Sequence, residues 1–74
     1  MAGKYKAKLL KNNKEIKLMF NVDSVKTDKK YGYFVVTTKI YKHQIMTTHS
    51  FKDVDIIELY EVGVKTPVQV ITKE

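Results

Sequence analysis

The feature that most constrains this chain is a period-two alternation of apolar and polar side chains, interrupted at short intervals by turn-forming residues. That pattern describes strands with two unlike faces, since an amphipathic helix would repeat near 3.6 residues. Tyr5, Ala7 and Leu9 alternate with Lys4, Lys6 and Lys8, as expected of a half-buried strand with its lysines in water. Lys11-Asn12-Asn13-Lys14 follows, and asparagine tolerates the left-handed backbone that a tight hairpin needs. Ile16, Leu18 and Phe20 then alternate with Glu15, Lys17 and Met19, completing a hairpin.

Asp23 to Lys30 is polar and predicts a turn, or a short strand with a loop. After Gly32, the run Tyr33 to Tyr41 is rich in β-branched and aromatic residues, which favour a pleated surface over a helix. Phe34, Val36, Thr38 and Ile40 share one face; Tyr33, Val35, Thr37 and Lys39 share the other. A reversal near Lys42-His43 leads into Gln44 to Ser50, with Ile45, Thr47 and His49 in alternation, and so into a second hairpin. Ser50-Phe51-Lys52-Asp53 has the form of a capping box and predicts one short helical turn near residues 51–54. A strand from Ile56 to Val62 should follow, ended by Gly63. Pro67 confines Val68 to Thr72 to an edge strand.

The expected fold class is therefore all-β: a small antiparallel barrel or sandwich of six to seven strands, in one domain spanning residues 1–74. Closure into a barrel would remove exposed strand edges. Lys14 to Val25 also echoes His43 to Ile57, as if a hairpin–turn–strand unit were repeated.

Much chemistry is excluded. Without cysteine there is no disulfide, thiolate metal site or cysteine nucleophile. His43 and His49 would lie about 20 Å apart along one strand, too far to share a metal ion. The three glycines are isolated and form no phosphate loop. Asp53/Asp55 and Glu58/Glu61 sit among polar neighbours, which points to exposure and not to the burial that acid–base work needs; His49 adjoins Ser50, but neighbours on a strand point to opposite faces. We expect no catalytic residues, no metal and no cofactor. No apolar run approaches the roughly 20 residues that span a bilayer, and no secretory signal is visible at the N-terminus. A cytoplasmic protein without a membrane partner is expected.

Charge points toward binding. All 14 basic residues are lysine and none is arginine, for a net charge of +6. Long-range attraction to polyanions follows, whereas bidentate reading of base edges, arginine's usual task, does not. Residues 1–42 carry 11 lysines and three acids; residues 43–74 carry three lysines and five acids. Two surfaces are candidates. A partner-binding segment would use Phe51, Asp53, Asp55, Glu58, Tyr60 and Glu61, apolar anchors inside an acidic rim. A nucleic-acid face would use Lys4, Lys6, Lys8, Lys14 and Lys17, with Lys6 and Lys8 across the hairpin from Glu15 and Lys17, and Tyr31 and Tyr33 as stacking platforms. A homodimer that pairs strand edges or sheet faces would enlarge so small a core.

Lysine without arginine, with abundant Ile, Asn, Thr and Tyr in so short a chain, resembles the small early proteins of phages that infect low-GC Gram-positive bacteria. Among these are the sliding-clamp inhibitors of staphylococcal phages. The resemblance implies a partner among host proteins of DNA metabolism, such as the DNA sliding clamp, disabled by occlusion. Gln44-Ile45-Met46-Thr47 lacks the terminal aromatic of the usual clamp-binding peptide. The acids of residues 51–61 would then be the docking surface.

Overall fold

The computed structural model describes residues 3–73. Six strands form one antiparallel sheet: β1 (Tyr5–Lys11), β2 (Lys14–Asp28), β3 (Tyr33–Ile40), β4 (His43–Ser50), β5 (Ile56–Glu61) and β6 (Gln69–Thr72). Their spatial order is β4-β3-β2-β1-β5-β6. The all-β expectation is met with six strands, but the sheet is not closed into a barrel. β4 and β6 remain its two edges, and β6, following Pro67, is only four residues long.

The core forms because the sheet bends, and the bend lies in β2. Residues up to Val22 pair with β1, and residues from Val22 onward pair with β3. Register shifts flank Val22 on both sides, between Tyr5/Ala7 and between Val22/Ser24, and Asn21 has φ of 57°. Bulges of this kind add twist and kink a strand. Val22 itself is fully buried, with Ala7, Leu9, Phe34, Val36, Val54, Ile57 and Leu59. Gly3 lies against the backbone of β2 at this point, its N–H donating to the Lys39 carbonyl of β3 at 2.7 Å. A Cβ at Gly3 would overlap the Asn21 carbonyl.

Of the two forms expected for the polar stretch after Asp23, the structure has the strand with a loop: strand as far as Asp28, because Val25 still packs against the core, then a turn. Two expectations need correction. β2 is one continuous strand where the proposed repeat has β4, a turn and β5, so the two units are not alike. The most consequential difference is a single residue. Continuing the register of the Asn12-Asn13 turn would set Lys8 opposite Lys17. A shift between Leu9 and Leu10 instead sets Lys8 opposite Leu18 and Leu9 opposite Lys17. A slip of one residue reverses every side chain beyond it. Met19 consequently turns to the core, while Ile16, Leu18 and Phe20 face outward and are exposed.

Where a short helical turn is expected, residues 51–53 form a hydrogen-bonded turn and no helix. Ser50 C=O accepts from Asp53 N–H and Val54 N–H, both at 2.9 Å, and Ser50 Oγ accepts from Lys52 N–H at 3.1 Å. It drops Val54 into the core and sets the ring of Phe51 edge-on to Phe34, with centroids 4.9 Å apart.

Candidate functional site

The acidic segment does not form a docking face. Phe51 packs on Phe34, and Tyr60 is only 7% exposed. Asp53 is exposed on the turn. Asp55 is a clasp: its Oδ2 accepts from Asn12 N–H at 2.9 Å, and its Oδ1 from Lys73 at 2.9 Å and Lys11 at 3.3 Å. The Asn12 N–H foremost, then Lys73, hold its carboxyl well below the usual carboxylate range. Its backbone N–H also donates to the Leu10 carbonyl at 2.8 Å, so it joins the first hairpin's turn to the β4–β5 connection and the C-terminal segment. Glu58 and Tyr60 share the outer face of β5, where Tyr60 OH donates to Glu58 Oε1 at 2.8 Å. That bond, with burial second, raises the Tyr60 pKa; Lys8 opposes it. Glu61, opposite Tyr5 on the adjacent strand, belongs by alternation to the other face.

The lysines divide as well. Lys17 is on the core-facing side of β2, close enough to His49 to reinforce the lowering of its pKa, which burial chiefly causes. Lys14 closes the first hairpin and is exposed, and Lys4 precedes β1. Tyr31 and Tyr33 stack at the β2–β3 turn with centroids 6.3 Å apart, and Lys30 lies over Tyr31. Asp28 holds that turn by accepting from Tyr31 N–H and Gly32 N–H.

Lys6 and Lys8 do come together. They alternate outward from β1 beside β5, their ammonium groups 5.6 Å and 5.2 Å from the centre of the Tyr60 ring. The β5–β6 connection passes over the same place, and Lys6, Lys8, Tyr60, Gly63, Val64 and Lys65 line a recess of about 380 Å³. Gly63, with φ of 82°, lets that connection reverse direction. Lys8 also approaches Glu15 at 3.8 Å, a surface pair of small energetic consequence. Along the same outer face, next to Lys8, runs the strip of Ile16, Leu18 and Phe20, the last of them 61% exposed.

No protein-family model, curated protein or solved structure matches this chain.

Sequence reasoning missed Lys65, Gly63, Val64 and Phe20. The first three reach the recess only through the β5–β1 pairing, and no spacing in the chain signals that pairing. Phe20 is missed because the bulge that turns it outward leaves no mark in the alternation.

Proposed function

We propose that this chain is a non-catalytic binding module for single-stranded nucleic acid, without sequence preference. The observation that carries the reading is one outer face with Lys6, Lys8 and Lys65 around a recess and exposed Phe20 on the neighbouring strand. Phosphates would lie along the lysines and a base would stack on Phe20, the combination that sequence-tolerant single-strand binders use. Tyr60, under the two lysines, is too buried to stack; its ring positions the ammonium groups instead. Lysine acts here as a point charge, which suits backbone contact and leaves base edges unread.

Fluorescence polarisation of labelled oligonucleotides tests this. Binding should weaken steeply with salt and be nearly independent of sequence. Replacing Lys6, Lys8 and Lys65 together by glutamine should lower the slope of log affinity against log salt by about 0.7 for each phosphate no longer neutralised. Phe20→Ala should cost about 1–3 kcal/mol at every salt concentration. Absence of binding at low salt, or binding indifferent to both changes, would overturn the reading.

A second reading rests on the apolar strip. Ile16, Leu18 and Phe20 beside a lysine rim also suit an acidic surface of another protein, and the chain would then inhibit a host protein of DNA metabolism by occlusion. Such a complex would survive nuclease treatment and would depend on Leu18 and Ile16 as strongly as on the lysines.

A further inference from the structure

The second hairpin ends the sheet with β4, and nothing among the described residues guards that edge. Exposed edges are ordinarily blunted by charge, proline, bulges or brevity. The free margin of β2 before Val22 carries Lys14, Glu15 and Lys17 and is bounded by register shifts. β6 is four residues long and follows Pro67. β4 has eight residues, contains no lysine, aspartate or glutamate, and pairs with β3 through eight successive residues without a shift.

The backbone groups it offers can be read from its turn. Tyr41-Lys42 is a two-residue loop, so Ile40 and His43 form the hydrogen-bonded closing pair, and such pairs alternate along an antiparallel ladder. His43, Ile45, Thr47 and His49 direct their N–H and C=O groups to β3. Gln44, Met46 and Thr48 direct theirs outward. Ser50 drops out, because its carbonyl already accepts from Asp53 and Val54. The open stretch is residues 43–49, and its midpoint is Met46.

We propose that two copies of this chain associate by antiparallel pairing of β4 with β4 about a two-fold axis at Met46. Gln44 faces Thr48 of the second copy, Met46 faces Met46, and Ile45 faces Thr47, so outward-directed groups meet outward-directed groups. The two-fold contact is self-complementary, as an isologous interface must be. Each copy carries +6, which favours contact along a strand that itself has no lysine. Pairing also covers Met46, 67% exposed, and Ile45, 58% exposed. Because β3 and β2 separate β4 from β1, both lysine recesses stay open, so this pairing stands independently of the nucleic-acid reading.

Sedimentation velocity across a concentration series tests the pairing. The 8.6 kDa chain should approach twice that mass as concentration rises. Met46→Pro removes one outward N–H and no bond to β3, so it should hold the protein at monomer mass with an unchanged circular dichroism spectrum and melting temperature. Met46→Lys, which sets two charges face to face on the axis, should do the same and preserves the test should the proline variant not fold. Ile45→Pro, which removes a bond to β3, should lower the melting temperature sharply. Monomer mass for the wild type at every concentration, or a wild-type dimer in the Met46→Lys protein, would overturn the proposal. So would an Ile45→Pro protein as stable as the wild type.

Discussion

The two hairpins are alike in outline and opposite in construction. The first, β1–β2, turns at Asn12 and Asn13, both in the left-handed region at φ of 52° and 65°, the backbone of a type I′ turn and one that asparagine tolerates. It is crowded with lysine, and its register shifts twice. The second, β3–β4, turns at Tyr41, also left-handed at φ of 55°, where a bulky side chain is strained. Its outer strand has no lysine or carboxylate and its register never shifts. Irregularity and charge in the first hairpin bend the sheet over the core and keep a free margin soluble. Regularity in the second leaves a straight edge able to accept another strand. The contrast teaches that the same local motif can close a core or present an edge, according to its bulges and its lysines.

The largest effect that would break the comparison is a matched pair of truncations. Phe34, on β3, has no exposed surface, and Phe20, on β2, is mostly exposed. Phe34→Ala should cost about 3–5 kcal/mol through reduced burial and the cavity left behind, and Phe20→Ala within about 0.5 kcal/mol. Urea unfolding followed by circular dichroism measures both. Equal losses of stability would mean that Phe20 is a core residue and that β2 is registered without its bulge.

A smaller contrast concerns the turns. Tyr41→Gly relieves a strained φ and should stabilise by about 1 kcal/mol, less what the more flexible unfolded chain takes back. Asn12→Gly should change stability by only a few tenths, since asparagine already accepts its conformation. The difference between the two unfolding midpoints is the measurement. A destabilised Tyr41→Gly protein would show that the Tyr41 side chain does more for the fold than its backbone strain costs.

The finest test is local and pH-dependent. Asp55 ties Asn12 of the first turn to the β4–β5 connection, and its carboxyl lies below the ordinary value of 3.8. A depressed carboxylate contributes its stability above that value and loses it as pH falls through the folded-state pKa. Acidification below about pH 4 should therefore release the Asn12 amide to hydrogen exchange before the amides of β3. Asp55→Asn should flatten that dependence. Equal pH sensitivity in the variant would remove Asp55 from the account.

How legible the fold is in the sequence differs from residue to residue. Asn12-Asn13 announces its turn, because few residues accept left-handed φ, and the aromatic and β-branched run after Gly32 announces β3 for a similar local reason. The end of β2 is ambiguous. Asp23 to Asp28 is polar enough for a loop, and only Val25 meeting the core beside its cross-strand partner Val36 makes it strand. The acids of residues 51–61 look like one surface in the chain, yet they lie on a turn, in a clasp and on opposite faces of β5. Adjacency in the chain says little about a strand whose neighbours alternate sides.

Some properties belong to the chain alone: extended segments with unlike faces, the sites where they reverse, the want of cysteine and arginine, and a surplus of lysine. Each follows from side-chain chemistry or local backbone preference, and distant residues do not alter it. Tertiary structure decided which face of β2 is buried, that Lys65 joins Lys6 and Lys8 around Tyr60, and that Asp55 is held by three donors. A two-residue period shows that a strand has two sides without saying which is inner. One bulge decides that, and whether the bulge forms depends on how Met19, Val22 and the β5 side chains fill the same core.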